Sequence, residues 1–310
     1  MARFLKRFVL FIVFASIIYV SLLVIFEEFL PGYMKPNIRW EPSSRGHLYT
    51  RMQDLDTVKA VDILVLGSSH AYRGFDPRIF CASGYNIFVL GSSAQTPLQT
   101  ARLAEKFIPK LKPKLVLYEA YPRVIGYDGI ESTLDFLAND DLDLSLAHLA
   151  ISTRNIMVVN TLLYSFFKKK VFRKSHQPES KVKVYEDGRK DIYVPGGYVS
   201  SKDVNRLYQE ERITVSINNT QLAALRKTVA IAKNNNSDIV FVYAPVTQAH
   251  YQAISDNDLL SPILNTYGTY IDFNKKLKLN DTLDFRDAHH LNQSGVKKFN
   301  DSLMDTLGLN

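Results

Sequence analysis

Nineteen consecutive residues, Phe8 to Phe26, carry no charge. At 1.5 Å per residue a helix of that length covers the ~30 Å hydrocarbon core of a bilayer. The stretch therefore predicts a transmembrane anchor over residues 1–30, with a short cytoplasmic tip. No later stretch is long and apolar enough to cross again. Arg3, Lys6 and Arg7 precede the span, whereas Glu27 and Glu28 follow it. The positive-inside rule then leaves the N-terminus in the cytoplasm and exports everything after Glu27. The alternative is a cleaved signal peptide, whose apolar core usually runs about 7–15 residues and ends in small residues. Phe-Glu-Glu-Phe stands there instead, which favours an uncleaved anchor.

The 310 residues are 46% hydrophobic, enough to bury a core in one large domain or two small ones. The formal charge of +7 favours anionic surroundings. A single cysteine, Cys81, excludes an internal disulfide framework and fits no zinc-ligand spacing. Residues 31–60 mix Pro, Gly, Ser and charge without clear periodicity, as a stalk packing loosely on the domain would. From residue 61 the pattern changes. Short apolar runs at Asp62–Gly67, Tyr85–Leu90, Leu115–Tyr118, Ile239–Tyr243 and Thr269–Phe273 predict buried strands of a parallel sheet. Leu222, Leu225, Val229 and Ala232 share one helical face, as do Val296, Phe299, Leu303 and Leu307. Strands alternating with helices imply a three-layer α/β/α domain over 61–310. Residues 126–215 interrupt the alternation and read as an insertion.

Ligands of open parallel sheets bind beyond the carboxyl ends of the strands. Polar clusters stand at three of those ends: Gly67-Ser68-Ser69-His70, Gly91-Ser92-Ser93-Ala94-Gln95 and Glu119-Ala120-Tyr121-Pro122. A fourth, Asp287-Ala288-His289-His290-Leu291-Asn292, precedes the last helix. Ser69 occupies a strand-to-helix turn, where helix N-terminal amides can stabilise an oxyanion. An alcohol needs a base to attack, and Asp287 with His290 supplies an oriented imidazole.

Ile63-Leu-Val-Leu-Gly-Ser-Ser69-His-Ala71 and Asp287-Ala-His-His290-Leu-Asn together resemble the first and last blocks of the SGNH, or GDSL-like, hydrolases, over about residues 61–124 and 237–310. The resemblance implies a flavodoxin-like sheet, with Ser69 as nucleophile, His290 as general base and Asp287 as its orienting partner. It places the second block's oxyanion glycine at Ala94, near Gly91 and Ser93. The family's Gly-x-Asn falls near Tyr118-Glu119-Ala120, where no asparagine is present. Anchored, exported members are associated with acylation or deacylation of cell-surface polymers. The expectation is thus an esterase or O-acyltransferase of a bacterial envelope, working in the periplasm or on the outer face of the cytoplasmic membrane without a cofactor. Its substrate would be an acylated glycan or polymer, and a transferase would need a membrane partner to supply acyl groups. A noncatalytic binding or assembly protein that kept the fold is the rival expectation.

Simpler readings stand beside these. Gly-Ser-Ser after a strand also makes a tight turn or a phosphate cradle, and an Asp before a helix caps it. His289 competes with His290 as base, and the His pair with Asp287 could ligate a metal, but no third clustered ligand is evident, so no metal is expected. His70 either lines the pocket or has a packing or hydrogen-bonding role. Glu119 either orients substrate or simply closes its strand. Between Asp143 and Glu179 no acidic residue occurs, while Arg154, Lys168, Lys169, Lys170, Arg173 and Lys174 accumulate beside Leu162, Leu163, Tyr164, Phe166 and Phe167. Such a segment rests on anionic lipid, guides an anionic polymer or is a solvated loop. Export argues against nucleic acid as partner. Tyr185–Tyr198, with Pro195-Gly196-Gly197, reads as a hairpin or flap.

Overall fold

The computed structural model describes residues 1–34, 37–43, 46–172, 179–186, 188–204 and 210–309. The chain divides into two compact units, Met1–Pro42 with Thr133–Gln177, and Ser43–Ser132 with Pro178–Asn310. The insertion expected at 126–215 is therefore shared between them.

Eight strands occur among the described residues: β1 (Ile63–Gly67), β2 (Ile87–Gly91), β3 (Leu115–Glu119), β4 (Val182–Val184), β5 (Lys190–Val194), β6 (Tyr198–Ser200), β7 (Asp238–Tyr243) and β8 (Thr269–Asp272). Five of them form a wholly parallel sheet in the order β2-β1-β3-β7-β8. This is the α/β architecture that the apolar runs foretold. Continuous apolar runs suit it because parallel strands are buried on both faces, and β1 and β2 are buried at every position. From β1 the chain first winds outward to β2, then returns past β1 to β3. The winding reverses between β1 and β3, and it is beyond the carboxyl ends of strands at such a switch point that open parallel sheets bind ligands.

Successive side chains point to opposite faces. On one face Ile63, Val65, Ile87, Val89, Leu117 and Val242 join Tyr72, Phe75, Phe80, Val296, Phe299 and Leu303 from the flanking helices in one core. Phe299 meets Phe75 and Phe273 edge to face, at 5.3 and 5.0 Å. On the other face, the helices Pro97–Leu111 and Asn219–Asn234 pack together over β1 and β7.

β4, β5 and β6 form a separate antiparallel meander. The expected flap is thus a three-stranded element, and its Pro195-Gly196-Gly197 turn lies on the sheet edge. The Val89 amide of edge strand β2 donates to the Gly196 carbonyl at 2.8 Å. Gly197, at φ +93°, comes so close that a Cβ would sit 2.0 Å from the Val89 carbonyl oxygen. The turn covers strand groups that would otherwise invite pairing with another chain.

The 31–60 segment departs from a loosely packed stalk. Its helix Leu48–Thr57 buries Leu48, Arg51, Met52 and Leu55. The fully buried Arg51 donates to the carbonyls of Gly197, Gly91 and Gly46 at 2.9, 2.9 and 2.8 Å. An arginine that satisfies a carbonyl of its own segment and two from distant ones has no periodic signature, so local composition suggested solvent.

In the other unit, the helix Ala2–Phe29 is long and apolar enough to cross a membrane, with a mean hydropathy of 3.0 over its most apolar window. Tyr19 donates to Asn160 at 2.6 Å and Tyr164 to Glu28 at 2.7 Å. The basic segment is not merely a solvated loop: Lys168 pairs with Glu28, and Lys169 donates to the carbonyls of Leu137 and Asp140. Lys170 and Arg154 are exposed. Arg173 and Lys174 lie outside the described residues.

Candidate active site

β1 ends at Gly67, where a Cβ would stand 2.6 Å from the Glu119 Cβ of β3. Glycine there is a condition of close strand approach. Ser68 then caps the short helix Ser69–Gly74, its Oγ accepting from the His70 amide at 3.3 Å. Ser68 is itself fixed from β3: its amide and hydroxyl donate to Glu119 Oε2 at 3.3 and 2.9 Å. The capped turn leaves half-buried Ser69 as the first helical residue, at the end of β1.

The Asp287–His290 segment is a closed loop. Phe285 pairs with Leu291, and the Arg286 amide donates to the His290 carbonyl at 2.9 Å. Asp287 Oδ1 accepts from the amides of His289 and His290 at 3.2 and 2.9 Å. Thr247, just beyond β7, holds the Ala288 carbonyl through its amide and hydroxyl at 3.1 and 2.6 Å. Asn292 caps the last helix by accepting from the amides of Ser294 and Gly295.

These two loops bring Ser69, His290 and Asp287 together. Ser69 Oγ lies 2.8 Å from His290 Nε2, and His290 Nδ1 lies 2.9 and 3.0 Å from the two Asp287 oxygens. Burial lowers His290, outweighing the opposite pull of Asp287. Burial alone would raise Asp287, but His290 beside it holds the carboxyl well below the usual range. The consistent state at neutral pH is a carboxylate beside a neutral imidazole, whose Nε2 is free to accept the Ser69 proton.

Behind Asp287 lies a buried charge cluster. Arg286 Nε is 3.7 Å from Asp287 Oδ2. Arg73 and Arg286 both grip Asp191 of β5, Arg73 with two bonds of 3.0 and 2.6 Å. Tyr185 donates to the same carboxylate at 2.7 Å. The meander is thereby tied to the rear of the Asp287 loop, and Arg189 comes within 4.0 Å of Asp287.

His70 does not simply pack. Its Nδ1 lies 3.1 Å from Ser68 Oγ and its Nε2 3.3 Å from His289 Nδ1. Burial lowers both rings well below the ordinary imidazole value. One ring nitrogen from each of His70, His289 and His290 falls within 4.8 Å of the others. The third ligand that sequence spacing did not reveal for the His289-His290 pair is therefore present. Tyr121 and His250 extend the group: the Tyr121 ring lies 4.0 Å from His70, and its hydroxyl 2.7 Å from His250 Nε2. His250 Nδ1 is 3.4 Å from Glu210. Sequence reading missed Tyr121, His250 and Ser68 as site residues. The only signal for Tyr121 and Ser68 was their place in clusters after β3 and β1.

At the end of β2, Gly91 is the register partner of Gly67. A Cβ on Gly91 would meet the Gly67 and Ser68 carbonyl oxygens at 2.7 and 2.8 Å. Ser93 Oγ donates to Glu131 at 2.8 Å. Ala94 adopts φ +47° in a turn closed by a 3.3 Å bond from the Gln95 amide to the Ser92 carbonyl. Glu119 is buried, its pKa raised by burial to about 7 against the pull of its Ser68 bonds.

No family model matches the sequence, and no curated protein matches it. Among solved structures, the chain is similar to a candidate acylhydrolase from Bacteroides fragilis at 13% identity and a TM-score of 0.41, covering 86% of this chain and 100% of that one. It is similar also to a GDSL-like lipase from Bacteroides thetaiotaomicron at 10% identity and a TM-score of 0.39, covering 84% of this chain and 98% of that one.

Proposed function

We propose that this chain is a membrane-anchored serine acyl-hydrolase or O-acyltransferase of the SGNH type, acting outside the cytoplasm on an acylated envelope glycan or similar polymer. The hydrogen-bonded line Ser69–His290–Asp287 carries the reading, because its distances and protonation states suit nucleophilic acyl transfer. His290 Nε2 takes the Ser69 proton as Oγ bonds to an ester carbonyl carbon. The tetrahedral oxyanion is held by backbone amides around Ser69 and Ala94. As the ester C–O bond breaks, the imidazolium returns its proton to the departing alkoxide, leaving acyl-Ser69. Water or a polymer hydroxyl, deprotonated by the same nitrogen, then attacks the acyl carbon, and that proton passes to Ser69 Oγ as the acyl C–Oγ bond breaks, freeing the serine.

Glu119 lies in the stretch Tyr118-Glu119-Ala120, near which the family places its oxyanion asparagine and where none is present, and Ser68 holds one of its oxygens. This difference favours specialised transfer over broad ester hydrolysis. It also supports the second reading, a noncatalytic envelope protein on the same fold. Treating the chain with a fluorophosphonate and locating the adduct by mass spectrometry separates them. The expected result is a single label on Ser69, lost in Ser69→Ala and slowed several powers of ten in His290→Ala. An unlabelled Ser69 at saturating probe would leave the noncatalytic reading. With labelling established, acetate release from model esters with and without a glycan acceptor distinguishes hydrolysis from transfer.

A further inference from the structure

We propose that His70, His289 and His290 form a zinc site superposed on the Ser69 relay, so that bound Zn²⁺ reversibly silences the serine. The silencing rests on the function proposed above, whereas the metal site itself does not.

Three imidazole nitrogens within 4.8 Å of one another are a donor set of the type zinc prefers. Tetrahedral zinc at about 2.0–2.1 Å from each nitrogen sets them roughly 3.3–3.4 Å apart. His70 Nε2 and His289 Nδ1 already stand at 3.3 Å. That pair now shares one proton in a ring-to-ring bond, and a cation in its place would engage both lone pairs. His290 offers Nε2, the nitrogen that Asp287 does not hold. The fourth position falls to water, beside Ser69 Oγ, which lies 2.8 Å from His290 Nε2.

The surroundings of the ligands fit as well. Zinc-bound histidines usually carry a carboxylate or carbonyl on their second nitrogen, which fixes ring orientation and strengthens the donor. His290 has Asp287 in that place. His70 has Ser68 Oγ, itself held by Glu119. Two of the three rings are thus anchored from behind by groups that reach a carboxylate. No similar set of three histidine, cysteine or carboxylate ligands occurs elsewhere among the described residues. Zinc on His290 Nε2 occupies the lone pair that receives the Ser69 proton. Metal binding and nucleophile activation are then mutually exclusive.

The test uses the full chain in detergent, freed of metal with EDTA and dialysed, then given Zn²⁺ and measured by elemental mass spectrometry after gel filtration. One zinc per chain is expected. Substituting Co²⁺ should give the intense visible bands of a tetrahedral ion. His70→Gln and His289→Gln should each weaken zinc by more than about 100-fold, the upper end of what losing an outer-sphere partner costs. Ser69→Ala, which keeps all three rings, should bind zinc undiminished and so controls for folding. Zinc should slow fluorophosphonate labelling of Ser69 at least tenfold, with EDTA restoring the rate. No bound zinc, or equal binding by wild type and both His variants, would overturn the site. Zinc that binds but leaves labelling unchanged or faster would overturn the silencing. Absent labelling in metal-free chain would sink the nucleophile instead, while the zinc stoichiometry still decides the site.

Discussion

Glu119 shows how one buried group reports on its surroundings. Between its ordinary value near 4.5 and its folded value of about 7, the native chain keeps a proton that the unfolded chain releases. Raising pH through that window therefore destabilises the fold, by about 3 kcal/mol once complete. Glu119→Gln keeps an acceptor for Ser68 but removes the titration. Its thermal midpoint should fall less than that of wild type between pH 5 and pH 8, and parallel curves would contradict the assignment. His290 makes a second prediction. Because burial lowers it, the neutral base persists into mildly acidic solution. Ser69 labelling by a phosphonate should rise with pH to a plateau, with its midpoint below the ordinary value of about 6.5. A midpoint above that would mean that Asp287 dominates burial. At this scale Ser69, Asp287 and His290 were legible because each sits at a strand end or just before a helix. The His70–His289 contact was not, since no motif links the two rings.

The elements of the sheet could be read with near-correct limits, because buried parallel strands are plain apolar runs between helices of 3.6-residue period. The meander was legible only in part, as a hairpin or flap over Tyr185–Tyr198. Its function is carried by Asp191, which looks like any polar residue of a strand but lies fully buried between two guanidinium groups. Asp191→Ala should cost about 3–5 kcal/mol, since it strips Arg73 of its two-bond partner and leaves Arg286 only the longer contacts to Asp287 and Asp203. The urea midpoint measures this, and a change below 1 kcal/mol would rule out the clamp. Gly91→Ala tests the approach of β2 to β1. Its new methyl group meets backbone carbonyls that cannot swing aside, so a loss of roughly 1–3 kcal/mol is expected. A silent substitution would mean that the strands separate freely there.

For the whole molecule, the apolar helix was the plainest feature of the sequence, whereas the division of the insertion at residue 177 had no compositional marker. Whether the helix spans a membrane is open to direct measurement. Ile17→Arg places a charge mid-helix and should disfavour insertion by roughly 2.5–3.5 kcal/mol. Resistance to alkaline extraction should drop accordingly, and unchanged resistance would argue that the chain is not anchored by this helix. The two halves of the candidate relay also differ in when they are made. Ser69 leaves the ribosome 221 residues ahead of the histidine that meets it. At about 5–20 residues per second that interval is roughly 10–45 s. Throughout it Ser69 is an ordinary alcohol, as it is in any chain cut short before residue 287. On the proposed reading, a nascent or unfolded copy therefore carries no reactive serine, and the relay is complete only when the last twenty or so residues have closed the fold.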